Sequence, residues 1–562
     1  MSMVFKQSLL GAAVTLALAA CGGGGGGGAA DSGAPAAAAS LTLTGTAAVG
    51  LAIANAAVEA KCSSGTGTAI TLADGSYTIK VSGGALPCVL KVTPATGGAL
   101  HSVIDGSGAG SVNVNITPLT ELLVAKLAGG APVDLFANFD AAAQARLGTP
   151  AVNAAIAAII TALQGVVDLR DVNPIKDKLE AAHGSNVGNA LDQKLDALQA
   201  ALAAAQTTLA EVSTAVASSA SSTAPAQTIL QPASTSCAGM RSGKYRVLNP
   251  HEVGHDDTHV AHLISVDTKA LKVTDDLDGT HTPIAITADT ATACKFTLPG
   301  ALGTSTVLVS KSGLTVVLSA SSVPGQPRTS ILLPEQSLPL SELAGTWNFL
   351  QYQRDSNTAS FAPASGTAVI DAAGNLSSGT DCTGLDTCVA WTPPLESFVP
   401  NANGGFNVGS GATPARAFAF KTASGRVSLF IIDRETGGII VATKQAALSL
   451  PVVGDVSRFW DFSISNTGTS AVSEVVTTVK SVDAVAGSYA RERLSDGRID
   501  SYTINKPRDG LRYRPAGSSP THTGGIVTFS EILALPLPGT GVTVYTSVAA
   551  AQNFFGVSVG KP

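Results

Sequence analysis

The chain has 562 residues, 34 basic and 40 acidic side chains, a formal net charge of −6, and only 13% charged and 5% aromatic residues. At roughly 150 residues per domain this length exceeds a single core and implies several units. Charges of both signs are scattered, so no basic stripe suggests nucleic acid, and past residue 21 no apolar run reaches the ~18 residues of a spanning helix.

Lys6 precedes an unbroken run of small and apolar residues from Leu9 to Ala20. The run is shorter than the ~20 residues a transmembrane helix needs, and residues 1–20 read as a secretory signal. Leu18-Ala19-Ala20-Cys21 resembles the lipobox of bacterial lipoproteins. The resemblance implies that Cys21 becomes an acylated mature N-terminus, with two or more chains holding it stably on a membrane. Gly22, directly after the cysteine, is similar to the outer-membrane sorting pattern. Residues 21–39 continue with seven glycines and then Ala, Ser and Pro, a flexible tether.

Six cysteines follow Cys21: Cys62, Cys88, Cys237, Cys294, Cys382 and Cys388. An even set in an exported chain reads as disulfides. Pairing neighbours in sequence keeps each bridge inside one expected unit. No CxxC is present, which leaves thioredoxin-like and zinc-ribbon readings without support.

Residues 40–117 alternate in short runs that predict strands: Leu41 and Leu43, then Val58, Ala60 and Cys62, then Tyr77, Ile79 and Val81, then Cys88, Leu90 and Val92. Asp74-Gly75 predicts a hairpin turn. Cys62 and Cys88 fall on apolar faces, so their bridge is expected to cross the core. Gly50 to Ala60, followed by Asp74-Gly75-Ser76-Tyr77-Thr78-Ile79, resembles the carboxypeptidase regulatory-like, or prealbumin-like, β-sandwich. That resemblance implies a non-catalytic spacer or binding module and carries over no catalytic residue.

From Thr117 the period becomes helical, over 118–217. Thr117 can cap and Pro118 suits the first helical position. Leu119, Leu122, Leu123 and Leu127 form one stripe, and Val152, Ile156, Ile159, Ile160, Leu163 and Val167 a second. Leu191, Leu195, Leu198, Leu202, Ala205, Leu209, Val212 and Val216 predict one long helix of about 45 Å. A helical bundle is expected here. Residues 218–236, rich in Ser, Ala, Thr, Pro and Gln, read as a linker.

Residues 237–562 carry a weak internal repeat. Ser242-Gly243-Lys244-Tyr245, Ala344-Gly345-Thr346-Trp347 and Ala486-Gly487-Ser488-Tyr489 open three β-units, assigned to 237–343, 344–483 and 484–562. Each is expected to be an antiparallel barrel or sandwich. Gly345-Thr346-Trp347 is similar to the lipocalin opening, which suggests a small-molecule carrier with a barrel interior near Trp347.

Three constellations could carry chemistry. His251-Glu252-Val253-Gly254-His255 matches the HExxH of zinc peptidases, with His251 and His255 as metal ligands and Glu252 as the catalytic base. Asn249-Pro250 before it and strand-like flanks favour a hairpin loop instead. Asp276-Leu277-Asp278-Gly279 is a fragment of a calcium loop and reads better as a turn. Arg491, Arg493, Arg498, Lys506, Arg508, Arg512 and Arg514 crowd the last segment. They read as polar faces of exposed strands, with a surface for phosphate or acidic sugar as the functional alternative.

The sequence therefore predicts a mainly β protein with an α-helical insert: an N-terminal prealbumin-like β-sandwich, a helical bundle and repeated antiparallel β-barrel or sandwich units. It predicts a lipid-anchored cell-envelope protein at the outer membrane, with a non-enzymatic binding, adhesion or structural role and no cofactor. The expected partners are the membrane, through Cys21, and a carbohydrate, protein or small-molecule ligand, not nucleic acid. The zinc peptidase and the lipocalin-like carrier are the alternatives.

Overall fold

The computed structural model describes residues 40–218, 221–250, 259, 261–319, 328–354, 360–409, 411, 413–466, 468–548 and 553–562. Cys21 and the stretch 251–258, with His251, Glu252 and His255, lie outside the described residues. The fold is mainly β; among the described residues seven α-helices lie between Pro118 and Ile229, and a short 3-10 helix, Leu340–Leu343, precedes the second β-unit.

Seven strands form the N-terminal unit: β1 (Ser40–Thr46), β2 (Ala57–Ser64), β3 (Thr66–Ile70), β4 (Ser76–Ser82), β5 (Ala85–Thr93), β6 (Leu100–Gly108) and β7 (Ser111–Asn113). They make a sheet ordered β4-β1-β7 and a second ordered β3-β2-β5-β6. Leu41 and Leu43 of one sheet and Val58 and Ala60 of the other belong to the same core, as period-two alternation requires. Asp74-Gly75 does turn the chain: the Asp74 carboxylate accepts from the Ser76 amide at 2.9 Å and Gly75 takes φ +78°. The strands it joins sit in opposite sheets, however, so the turn crosses the sandwich and closes no hairpin. The Cys62–Cys88 bridge is likewise local. The two residues are direct partners on β2 and β5, with Cα atoms 3.9 Å apart, so the bridge staples one sheet and does not cross the core.

The helices are α1 (Pro118–Ala128), α2 (Pro132–Ala137), α3 (Ala141–Ala145), α4 (Thr149–Ala162), α5 (Ala190–Ala204), α6 (Leu209–Ala217) and α7 (Ala224–Ile229). Thr117 caps α1, accepting from the Thr120 amide while the Thr120 hydroxyl accepts from the Thr117 amide at 2.8 Å. Leu119 to Ala125 are all buried, because α1 lies between β6 on one side and α4 and α6 on the other. Glu121 on α1 accepts from His101 on β6, from its amide at 2.5 Å and its Nδ1 at 2.9 Å, which ties helix to sheet. Sandwich and helices thus share one continuous apolar core.

The long seam from Leu191 to Val216 is two helices and not one. α5 stops at Ala204, Gln206 turns to φ +47°, and Thr208 starts α6. The cause is a capping box: Glu211 accepts from the Thr208 amide at 2.9 Å, and the Thr208 hydroxyl accepts from the Glu211 amide at 3.2 Å. A reciprocal cap satisfies amides that a kinked continuation would strand. The expected linker at 218–236 is also structured in part. It contains α7, with Ala224, Pro225 and Ala226 buried, and Ala233–Ser234 pairs with Cys237–Arg241.

The next two units have the same topology. In each, nine described strands are ordered 4-3-2-1-9-8-7-6-5 within the unit, so first and last strands are neighbours. Gly243–Leu248 pairs with Arg328–Pro334 in one, and Gly345–Arg354 with Ile439–Lys444 in the other. Gly243 and Gly345 both open the first strand, which is the physical content of the repeated motif. Cys237–Cys294 bridges the first unit, and Cys382–Cys388 joins direct strand partners in the second.

The third unit begins at Val456 rather than near 484, so Gly487-Ser488-Tyr489 opens an interior strand and not the unit. Its strands Val456–Ser465, Ser473–Asp483, Ser488–Arg493, Ile499–Ile504, Arg512–Arg514, Ile532–Leu537, Val542–Ser547 and Phe554–Gly560 pair in succession. The first also pairs with the last, from Phe459 with Gly560 to Ser465 with Phe554, and this closes a barrel.

Candidate functional site: an arginine-lined barrel lumen

Small barrels are ordinarily filled by apolar side chains. The third unit is built the other way round. Trp460, Phe462 and Ile464, Leu533, Leu535 and Leu537, Val542 and Val544, and Phe555, Val557 and Val559 join the core shared with the first two units. These residues occupy one face of four neighbouring strands, and that face is the barrel's outside, although Leu537 and Val542 also border the cavity. Side chains at the alternate positions therefore point inward, among them Phe459, Asp461, Tyr545 and Ser558. They surround a cavity of about 830 Å³.

The opposite wall supplies the charge. Tyr489, Arg491 and Arg493 alternate along one strand, Arg512 and Arg514 along another, and Arg498, just before the strand between, and Tyr502, on it, flank Asp500; all seven cavity-lining side chains named here share the lumen. Asp500 is almost fully buried, and its carboxylate gathers three guanidiniums: Arg498 at 2.8 Å, Arg514 at 3.4 Å and Arg491 at 3.6 Å. Arg491 also donates to the Tyr502 hydroxyl at 2.7 Å and lies 4.6 Å over its ring. Arg493 is held by Asp496, whose carboxyl this contact lowers to about 2. Arg512 has no carboxylate partner among the described residues, and the Nε atoms of Arg491, Arg512 and Arg514 are buried without a hydrogen bond there.

Across the lumen, Asp461 accepts from the Ser558 hydroxyl at 2.5 Å and from the Tyr545 hydroxyl at 3.0 Å. Burial raises the Asp461 carboxyl, against the pull of those two donors and of Arg491 and Arg498. Burial and the neighbouring Asp461 carboxylate raise the Tyr545 phenol well above its ordinary range, so it stays a donor. Tyr489 and Tyr502 stack with centroids 5.6 Å apart. Phe529, on the hairpin Gly517–Pro520 with Ile526–Phe529, sits 4.9 Å over Arg514 and 5.4 Å over Arg498.

Five of the seven cationic residues singled out in the last segment thus line a cavity, where the sequence suggested exposed strand faces. Lys506 and Arg508 do not join them. Lys506 lies 5.0 Å over the Tyr513 ring, and Arg508 packs on the second unit, 3.3 Å from the Asn348 side chain and 3.7 Å from Cys382 Sγ. Asp461, Tyr489, Asp500, Tyr502 and Tyr545 are functional candidates that sequence reasoning missed. The two-residue spacing of Tyr489-Arg491-Arg493 and of Arg512-Arg514 was the available signal, since it puts each set on one face.

The other candidates fare differently. Trp347 is buried, and its indole donates to the Leu343 carbonyl at 2.8 Å. Phe349, Ile370, Phe398, Phe406 and Leu429 pack with it, so the interior there is filled and the carrier reading near Trp347 is corrected. His251, Glu252 and His255 lie outside the described residues, so that candidate is not placed; nearby, Leu248 pairs with Ala261 and His262 stands 3.6 Å from Asp275. Among the described residues no three His, Cys, Asp or Glu side chains group as metal ligands. Asp276 to Gly279 lies in the connection between paired strands Lys272–Asp275 and Ile284–Ala285.

No family model and no curated protein matches the chain. Among solved structures it is similar to a protein of unknown function from Nostoc punctiforme, at 12% identity over 40% of this chain and 99% of that one, with a TM-score of 0.15. It is also similar to the isotype 1 transferrin binding protein B of serogroup B Neisseria meningitidis, at 8% identity over 54% of this chain and 65% of that one, with a TM-score of 0.20. Superpositions this loose carry no argument about function.

Proposed function

We propose that the chain is a lipid-tethered, non-enzymatic binding protein of the cell envelope whose C-terminal barrel takes up an anionic small molecule. The observation that carries this reading is the inverted barrel: apolar residues outside, five arginines inside. Buried guanidiniums in excess of carboxylates are costly unless something negative joins them. Pockets of a few hundred Å³ with a few converging polar groups are the usual form of small-ligand sites. The three disulfides support an oxidising compartment, and the lipobox resemblance at Cys21 supports anchoring at the outer membrane. On this reading the N-terminal sandwich, with its likeness to regulatory-like modules, is a spacer between lipid and barrel.

The test is a thermal-shift screen of the mature chain against anionic small molecules and their neutral analogues. Anions are expected to raise the unfolding midpoint by mass action, and Arg491→Gln with Arg514→Gln to abolish the rise. If no anion moves the midpoint of the wild-type chain, the reading fails. Anchoring is checked separately: labelled palmitate is expected in the wild-type protein and absent from Cys21→Ser.

A further inference from the structure

Resting on that reading, we infer that the lumen binds a sugar carrying a phosphate monoester, with the phosphate on the arginine wall and the sugar ring against the tyrosines. The first argument is charge. Five guanidiniums of this wall, Arg491, Arg493, Arg498, Arg512 and Arg514, face three carboxylates, Asp461, Asp496 and Asp500, and the lining adds Lys311, Arg458 and a Lys561 paired with Glu474, so positive charge exceeds negative by at least two. A monocarboxylate supplies one negative charge, whereas a phosphate monoester supplies about 1.5 to 2 at neutral pH in a single group.

The second argument is compactness. Three guanidiniums already converge on the one Asp500 carboxylate within 3.6 Å, and Arg512 adjoins them without a carboxylate of its own. A dicarboxylate would spread its charges along a chain; a phosphate concentrates them where the forks meet. The cations on this wall are all arginine, whose planar fork suits bidentate contact with phosphate oxygens. The third argument is the neighbouring surface. The stacked Tyr489–Tyr502 pair, Phe459 and Phe554 offer flat apolar faces beside the cations. A sugar ring has apolar C–H faces to lay on them, and its hydroxyls can reach Asp461 and Ser558. Barrel closure, with Phe529 over two of the arginines, favours a small ligand over a polymer threading through.

The experiment is isothermal titration calorimetry of the mature full-length chain with glucose 6-phosphate, glucose, glucuronate and inorganic phosphate. Glucose 6-phosphate is expected to bind about tenfold or more tighter than glucuronate or inorganic phosphate, and glucose to give no heat. Arg512→Gln is expected to weaken glucose 6-phosphate by about tenfold, the scale of one charge-assisted hydrogen bond. Should that variant fail to fold, Arg512→Lys keeps the charge, loses the fork and is expected to weaken binding in the same direction. Glucuronate binding as tightly as glucose 6-phosphate overturns the phosphate assignment while leaving an anion-binding lumen intact. Inorganic phosphate binding as tightly overturns the role of the sugar ring. Silence of all four probes overturns the inference, and the thermal-shift screen then decides separately whether any anion enters the lumen.

Discussion

The second and third β-units lie against each other, yet they spend their apolar residues in opposite ways. In the second unit both faces are apolar. Ala417, Ala419, Val427 and Leu429 pack inward with Trp347, while Phe418, Phe420, Phe430 and Ile432 pack outward on the neighbouring units. Strands buried on both sides read as continuous hydrophobic runs, and Val427 to Ile432 is buried throughout. In the third unit the same shared core takes one apolar face and leaves the other polar. The difference shows that a barrel can keep a hydrophilic lumen when its neighbours provide the apolar contact its interior lacks. Stability and binding are then carried by different faces of the same strands.

The strongest way to break this comparison is to truncate one residue in each interior. Trp347→Ala removes a fully enclosed side chain from the second unit and is expected to cost about 3–5 kcal/mol. Arg512→Gln takes a charge from the third unit's lumen and is expected to leave the urea midpoint unchanged or raised, since a buried charge in excess opposes folding. Equal losses in the two variants would mean that the lumen is a structural core and not a site.

A finer contrast comes from two glycines. In the second unit, a Cβ on Gly366 would lie 2.0 Å from the Thr380 carbonyl and 2.2 Å from the Phe349 ring. In the third, a Cβ on Gly556 would lie 2.0 Å from the Tyr545 ring, which borders open lumen. Gly366→Ala must move backbone and is expected to cost at least about 2 kcal/mol; Gly556→Ala can push a side chain into space and is expected to cost about 1 kcal/mol or less. Because Tyr545 then leaves Asp461, the second variant is expected to lose ligand affinity out of proportion to its stability. Urea unfolding beside calorimetric binding separates the two effects.

How far the sequence anticipated this arrangement follows from which interactions are local. The strand periods, the Thr117–Pro118 helix start and the neighbour pairing of the cysteines depend on residues close in the chain, and they were legible. The Asp74-Gly75 turn was legible as a turn, but not as a crossing between sheets, because that depends on partners such as Ser82 and Thr93 far along the chain. The break at Thr208 was hidden by a heptad seam that runs unbroken through it, although Thr208 and Glu211 spell a capping box. The lumen was least legible. Arg491 and its neighbours alternate as an exposed strand would, and only closure between Val456–Ser465 and Phe554–Gly560 turns that face inward. Sequence alternation separates two faces of a strand; it does not say which of them meets water.

The smallest expected effect sharpens the comparison from inside the lumen. Asp461 is the carboxylate opposite the arginine wall, and burial raises it above its ordinary value. A group raised in the folded state contributes stability that is complete below the unfolded carboxylate range and is lost as pH rises through the folded value. As pH rises above the unfolded carboxylate range wild type progressively loses that contribution, so Asp461→Asn, which does not titrate, is expected to gain on it with rising pH and to equal or exceed it by about 1 kcal/mol or less once the carboxyl has ionised. The variant also removes a negative charge that competes for the arginines, so anion affinity is expected to rise severalfold. The pair of readings discriminates: if Asp461 only braces the barrel through Tyr545 and Ser558, Asp461→Asn lowers the urea midpoint at neutral pH and leaves anion affinity unmoved. If the lumen is a site, stability holds and affinity climbs, most clearly at low ionic strength, where the charges are least screened.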